Sequence, residues 1–368
     1  MTLRFENVYE RISGFHGGPA IEKEMTVMNF NNELTVAGKP SRVSVAMCTF
    51  NGARFLSEQL DSILGQSEMP DELVVCDDGS TDDTINVLEE YSELAPFPVN
   101  IHRCQVRLGV AQNFAKCINL CSGDLVVLSD QDDIWLPDRI RETRLAFAAN
   151  ENLTFTYSDA ILIDDGGRDM GRTIYKDMRV MHKDRQRLEG GTSILPTLLV
   201  YGGVCGCTMA FRSKFLPIIL PIPETWIHDQ WISLVLCAIG PSARIRPTVQ
   251  YRQHSAQSIG LGRLNLKARI RHTRTRKAEE YQAEIRHFRF GLDTARSHSE
   301  LHDSLVPALR SRIEFLCNRY SVRSGGIRGM RLLARLLWTG DYWRLGAGWG
   351  SLLKDVATLA GGFKDKAK

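Results

Sequence analysis

Leu125-Val126-Val127-Leu128-Ser129-Asp130-Gln131-Asp132-Asp133 joins a short apolar run to an acidic turn. A run with no polar face suits a strand buried on both sides. Ending such a strand on carboxylates is costly unless something cationic offsets them. Carboxylates at the first and third positions of a tight turn can converge on one hard divalent ion, which commonly shares its coordination with substrate phosphates. An isolated Asp-x-Asp is a weak signal, because acidic turns after strands are mostly structural. Cys76-Asp77-Asp78-Gly79-Ser80-Thr81-Asp82 strengthens it, being a second acidic loop of the same design after an earlier apolar run.

The first 130 residues repeat that pattern. Val43 to Met47 reads as a strand, followed by Phe55, Leu56, Leu60, Ile63 and Leu64 at helical spacing. Leu73 to Cys76 is a second strand, with Ile85, Leu88, Tyr91 and Leu94 on the next helix. Val99 to His102 is a weaker third strand, and Val110, Phe114, Cys117, Ile118 and Cys121 mark a third helix before Leu125. Apolar strands alternating with amphipathic helices predict βαβ units, an α/β fold with a parallel sheet. Ligands of such sheets bind outside the carboxyl ends of the strands. Thr49 and Asn51, Asp77 and Asp78, Arg107, and Asp130 and Asp132 all fall there, one cluster after each strand.

The ligand expected at this edge is a nucleotide held without a phosphate loop. Neither G-x-x-x-x-G-K-[ST] nor G-x-G-x-x-G follows the first strand. A carboxylate after a strand can accept hydrogen bonds from a base imide or ribose hydroxyls, while a metal on a second carboxylate manages a diphosphate. That division of labour suits a nucleotide-sugar donor.

Val43 to Phe50, Asn51-Gly52, Glu58-Gln59-Leu60-Asp61-Ser62-Ile63, Asp77 to Asp82 and Leu128 to Trp135 together resemble the family 2 glycosyltransferases over residues 41–260. The resemblance implies the GT-A fold: a Rossmann-like, mostly parallel sheet with flanking helices, here followed by a C-terminal helical region. The run Asp130 to Asp138 and the ending Tyr251-Arg252-Gln253-His254 are most similar to bacterial enzymes of surface-polysaccharide assembly, many of them rhamnosyltransferases.

The same resemblance implies roles. Asp132 and His254, with help from Asp130, would hold Mn²⁺ or Mg²⁺; imidazole suits Mn²⁺ better. Asp77 or Asp78 would meet the base, Asp130 the ribose, and Arg252 the leaving diphosphate, with Thr49, Asn51 and Arg107 also on the donor. Asp229, in Trp226-Ile227-His228-Asp229-Gln230-Trp231, would be the general base, although a carboxylate at the head of an apolar helix is often only a cap. The commoner family pattern has Glu where this chain has His228. Gly203, Cys205, Gly206, His228 and Trp135 are expected on the acceptor side, and Ser255 to Gly262 as a loop that orders over the donor. Single displacement with inversion is likewise what the resemblance implies, from a dTDP- or UDP-sugar, dTDP-rhamnose foremost, to a glycan or lipid-linked acceptor.

Composition sets the outer bounds. The chain has 368 residues, 43% hydrophobic, with net charge +3. Residues 1–40 are expected to be a partly ordered leader without a signal-peptide pattern, 41–262 the GT-A catalytic domain, and 263–368 a basic helical region. Residues 261–368 carry 22 Lys+Arg against 10 Asp+Glu. Basic helices mixing Trp, Leu and Arg, with no run of about 18 apolar residues, suit the anionic inner face of a plasma membrane. The rival readings are a helical cap on the catalytic domain and a homo-oligomer contact. No nucleic-acid module accompanies the basic residues. The nine cysteines, odd in number and scattered, read as reduced cytoplasmic thiols.

Two other classes compete. A sugar nucleotidyltransferase would need a Gly-rich loop with Arg or Lys after the first strand, where this chain has Cys48-Thr49-Phe50-Asn51-Gly52-Ala53-Arg54. A non-catalytic nucleotide-sugar-binding scaffold of an assembly complex would be expected to have lost residues such as Asp132, Asp229 and His254.

Overall fold

The four N-terminal apolar runs fold as parallel strands of one sheet. A computed structural model of the chain describes residues 41–178, 182–189, 193–255, 257, 278–322 and 325–360. Its elements run β1 (Val43–Thr49), α1 (Ala53–Leu64), β2 (Glu72–Asp77), α2 (Thr84–Leu94), β3 (Val99–Arg103), α3 (Val110–Leu120), β4 (Leu125–Ser129), β5 (Ile134–Trp135), α4 (Arg139–Ala149), β6 (Phe155–Tyr157), β7 (Ile161–Ile163), β8 (Asp169–Thr173), α5 (Ile174–Asp177), α6 (His182–Leu188), α7 (Leu195–Tyr201), β9 (Ala210–Arg212), α8 (Leu216–Ile219), α9 (His228–Ile239), β10 (Ser242–Arg244) and β11 (Val249–Arg252). A helical region follows: α10 (Ala278–Ala295), α11 (Leu305–Val322), α12 (Gly326–Trp338), α13 (Asp341–Arg344) and α14 (Trp349–Ala360).

The main sheet has the order β10-β6-β9-β4-β1-β2-β3. Strand β1 lies parallel to both β2 and β4, with Thr49 opposite Asp77 and Met47 opposite Ser129. These three strands therefore end level, and their acidic loops leave from one edge. The chain runs from β1 outward to β3 and then crosses back to β4, which makes the β1/β4 boundary the switch point where a crevice opens. Val43, Val45, Leu73 to Val75 and Leu125 to Leu128 are wholly buried, each contributing about 1.5–3 kcal/mol.

Two later pairings complete the edge. Strand β9 runs antiparallel between β4 and β6, which delivers the preceding Gly206–Thr208 turn of 3₁₀ helix to the end of β4. A second sheet has the order β5-β11-β7-β8. In it Val249 pairs with Trp135 and Gln250 with Ile134, antiparallel. Asp132 lies two residues before β5 and His254 two after β11, so this register returns the late His to the acidic turn.

Helices α10 and α11 share the hydrophobic core of the main sheet through Ile285, Phe288, Leu292, Leu305, Leu309 and Leu316. Trp226 Nε1 donates to the His287 carbonyl at 3.1 Å, and Gly291 leaves room for the indole: an added Cβ would lie 2.8 Å from its Cζ2. A smaller core of Phe315, Val322, Leu336, Tyr342 and Leu352 joins α11 to α14. All nine cysteines are free thiols. No described helix is long and apolar enough to cross a membrane. The leader 1–40, the basic run Lys267 to Lys277 and most of the loop after Ser255 lie outside the described residues.

Candidate active site

A cavity of about 470 Å³ opens at the ends of β1 and β4. Its lining includes Thr49, Phe50, Asn51, Asp78 and Arg107 on one side, Asp130, Asp132 and His254 on another, and Cys205, Gly206, His228 and Asp229 on a third.

The acidic loops are held in shape by their own amides. Asn51 takes the left-handed φ of 46° that a short polar side chain tolerates, and its Oδ1 accepts from the Thr81 amide at 2.8 Å. Asp78 receives the Leu108 and Gly109 amides at 2.6 and 2.9 Å, and Arg107 Nε stands 3.8 Å from its Oδ2. The Arg107 guanidinium also lies over the Phe50 ring, 3.7 Å from its centroid. A planar, charged lip thus borders the cavity above an oriented carboxylate.

At the acidic turn, Gln131 Oε1 accepts from the Phe50 amide at 2.8 Å, tying the turn to the end of β1. Gly52 makes this approach possible, since an added Cβ would fall 2.1 Å from Gln131 Oε1. Burial, and then the negative charges of Asp132 and Asp229, push Asp130 well above the usual carboxylate range. Such a group is relieved by a nearby cation.

Asp132 and His254 are placed where they could hold one. Asp132 Oδ2 and His254 Nε2 are 2.8 Å apart, close to the roughly 3 Å expected between ligands on adjacent corners of an octahedral ion at about 2.1 Å. The His254 ring is braced on Phe55, with centroids 4.6 Å apart. Asp130, Asp133 and Cys207 also converge within 4.8 Å. That group fits a hard ion less well: Asp133 and Cys207 are absent from the cavity lining, Asp133 Oδ1 accepts from the Arg252 amide, and burial keeps Cys207 a thiol. The set of Asp132 and His254, with Asp130 beside them, has the oxygen and imidazole donors that Mn²⁺ or Mg²⁺ could use.

Across the cavity, Asp229 sits in the first turn of α9. Its Oδ2 accepts from the Gly206 amide at 2.9 Å and its Oδ1 from the Gln230 amide at 2.7 Å. Burial outweighs these bonds and pushes its pKa up to about 6. His228 stacks on Phe114 at 3.8 Å, and burial pushes it down to about 3, so its imidazole is neutral. Neither of its ring nitrogens has a hydrogen-bond partner. A buried, unsatisfied donor–acceptor facing a cavity is costly and is relieved when a ligand supplies the missing partner.

The sequence model of glycosyl transferase family 2 matches residues 44–215. These residues form a glycosyl transferase family 2 domain. The seven-stranded, mostly parallel sheet with flanking helices is the GT-A architecture. The dTDP-rhamnosyl transferase RfbG of Shigella flexneri is 38% identical over 99 residues, 26% of this chain and 34% of that protein. Putative glycosyltransferase EpsE of Bacillus subtilis is 33% identical over 106 residues, 29% of this chain and 38% of its own length. The chain spans about a third of the length of these curated relatives. Among solved structures, the mannosyltransferase PcManGT of Pyrobaculum calidifontis in complex with GDP-Man and Mn²⁺ aligns over 92% of each chain, at 16% identity and a TM-score of 0.49.

Four residues expected at the site of this family 2 domain stand away from the cavity. Asp77 lies inside its loop, where Oδ2 accepts from Thr49 Oγ1 at 2.8 Å and Oδ1 from the Gly79 and Ser80 amides. That leaves Asp78 as the carboxylate that faces the cavity. Arg252, expected at the diphosphate, is fully buried because its guanidinium is spent internally: on the Asp132 carbonyl at 2.9 Å, the Asp165 carbonyl at 3.0 Å and Glu58 Oε2 at 2.7 Å. It braces the acidic turn from behind. Trp135, expected on the acceptor side, is a buried β5 residue whose ring lies under the Arg139 guanidinium at 4.4 Å. Gly203 packs against Leu188 and Thr197.

Sequence reasoning missed Phe50, Asn113 and Phe114, which line the cavity, and Arg139 behind it. Arg139 is buried, donates to the Leu128 carbonyl at 3.1 Å, and its positive charge lowers the Asp130 pKa. Phe50 and Phe114 read as ordinary core residues of a strand end and a helix. Arg139 gave a usable signal, as a charge at the head of the helix that follows the acidic run and β5.

Proposed function

We propose that this chain is an inverting, metal-dependent glycosyltransferase that moves a sugar from a nucleoside-diphosphate donor to a growing lipid-linked surface glycan. The observation that carries the reading is that Asp229 and the Asp132–His254 pair line one cavity, whose volume falls within the roughly 300–1,000 Å³ of small-molecule sites. In this reading the base and ribose meet Asp78, with Arg107 over Phe50, and Asp130. Asp132 and His254 would hold Mn²⁺ or Mg²⁺, which would supply positive charge toward the leaving diphosphate. Asp229 takes the proton of the acceptor hydroxyl as that oxygen bonds to the anomeric carbon and the sugar–phosphate bond breaks, its pair leaving with the diphosphate. His228 offers the acceptor a neutral hydrogen-bonding group. One base with no second nucleophile beside it suits a single displacement.

The donor proposed is a pyrimidine nucleotide-sugar, dTDP-rhamnose first, which the similarity to RfbG favours. The proposed location is the cytoplasmic face of the plasma membrane, where a lipid-linked acceptor would be presented. The test is to incubate purified protein with dTDP-, UDP- and GDP-sugars, Mn²⁺ or Mg²⁺, and membrane extract. Metal-dependent release of one nucleoside diphosphate supports the reading and names the donor. Silence across that panel, with no metal-dependent diphosphate binding, overturns it in favour of a scaffold.

A further inference from the structure

Among the described residues, helix α12 has one packed face and one that is left bare. Gly329 and Leu336 are buried, and Leu332 and Leu333 pack against the small core below. On the other side Ile327, Met330 and Trp338 are 72%, 63% and 93% exposed. Helix α14 repeats the division: Ser351, Leu352 and Asp355 are buried, while Trp349, Leu353 and Val356 are exposed. Positions 327, 330 and 338, and positions 349, 353 and 356, each follow the spacing of a single helical stripe. Scattered apolar side chains on a surface need no explanation, but two helices in contact, each exposing a stripe, do. The helices touch at Gly329, where an added Cβ would lie 3.1 Å from Leu359.

The charge beside these stripes selects the occupant. Arg328, Arg331 and Arg335 are exposed on α12. Among the described residues the carboxylate near this trio is Glu314, 4.0 Å from Arg335. Arg, Trp and Met also occur in protein–protein interfaces, but there each of three guanidinium groups of one sign would need a carboxylate placed to meet it, whereas an anionic lipid surface takes both kinds of group without such matching: indoles and aliphatics at the acyl boundary, guanidinium groups on the headgroup phosphates. We infer that α12 and α14 dock on an anionic lipid surface, with their apolar stripes entering the headgroup layer and Arg328, Arg331 and Arg335 against its phosphates. The contact lies in the plane of the surface, since neither helix is long and apolar enough to cross it.

The test is co-sedimentation of the full chain with phosphatidylcholine vesicles, with and without phosphatidylglycerol, followed also by tryptophan emission. Wild type is expected to sediment only with the anionic vesicles, with a blue shift, and to be released by salt. Ile327→Ser with Trp338→Ser should weaken binding on the order of tenfold or more. Arg328→Glu with Arg331→Glu should do so by about fivefold for each charge removed and further for each added. These side chains face solvent, so the variants should melt as wild type does, and any release of nucleoside diphosphate without vesicles should be unchanged; the docking inference therefore stands or falls separately from the catalytic one. Equal binding to phosphatidylcholine alone, no binding to anionic vesicles, or a dimer that the serine pair splits would each overturn it.

Discussion

His254 Nε2 stands 2.8 Å from Asp132 Oδ2 across 122 residues of chain. The antiparallel pairing of β5 with β11 creates this meeting, and Arg252, anchored on the Asp132 carbonyl and Glu58, fixes its depth. If the pair holds the ion, Asp132→Ala and His254→Ala should each weaken metal-dependent nucleoside diphosphate binding by at least about 10- to 100-fold, the loss typical of even outer-shell partners. Calorimetric titration with and without Mn²⁺ reads this directly. A chelator should bring wild type down to the variants' level and leave the variants unmoved.

Asp229 supplies the second prediction. Two amides fix its oxygens, so Asp229→Asn should preserve donor binding while transfer falls about 10²- to 10⁴-fold, the usual worth of general-base catalysis. A base works when ionised. With the Asp229 pKa pushed up to about 6, transfer should rise with pH through that value and level off above it. Wild-type transfer by the Asn variant, or a flat profile between pH 5 and 7 (values bracketing that pKa), would remove Asp229 from the role.

The same shift has a stability consequence of opposite sense. Folding raises the Asp229 pKa above its ordinary 3.8, so the folded state binds the proton more tightly. That contribution is complete below about pH 4 and is lost as pH rises through 6. Wild type should therefore lose on the order of 2 kcal/mol relative to Asp229→Asn between pH 4 and pH 8. Urea unfolding of both proteins at the two pH values measures the difference without needing a substrate.

How far the sequence leads is clear from Asp77 and Asp78. Both follow a buried strand and both read as candidates for the base. Only the register of β1 on β2 places Asp77 under Thr49 and turns Asp78 toward the cavity. The strands β1 to β4 and helices α1 to α3 were legible because each carries a full apolar period. Strands β6, β7, β9 and β10 have three residues each, too few for a period to show. Arg252 was misplaced for a related reason: a charge after a strand reads as exposed, and its burial depends on Glu58 and Asp165, 194 and 87 residues away. The neutrality of His228 depends on Phe114 and on burial, neither visible from its neighbours in sequence.

Gly206 is a position where one methyl group should matter. Its amide holds Asp229, and an added Cβ would lie 2.8 Å from His228 Nε2 and 3.3 Å from Asp229 Cβ. The imidazole that meets the clash is held by its stack on Phe114, so the strain spreads to the Gly206 turn and, through its amide, to the carboxylate it holds. Gly206→Ala should reduce transfer about 10²-fold, as expected for a displacement approaching 1 Å, while nucleoside diphosphate affinity, set across the cavity, stays near wild type. A matching loss of donor binding would show that the turn serves the donor instead.

The helical region carries the most consequential ion pair outside the site. Arg319 Nε and Nη2 donate to the two oxygens of Asp355 at 2.7 and 2.9 Å, and the Tyr342 and Tyr281 hydroxyls complete the carboxylate at 2.7 and 3.2 Å. Both charged side chains are almost wholly buried. The pair ties α11 to α14, with Tyr281 of α10 joining from the core side. Arg319→Met would strand the carboxylate in a dry setting and should cost about 3–5 kcal/mol, seen as a lower urea midpoint. Arg319→Met with Asp355→Leu removes both charges and should recover most of that loss, because desolvating two ions offsets much of their attraction. If the double variant is as unstable as the single one, the tyrosine hydroxyls, left without their acceptor, dominate the energetics of this junction.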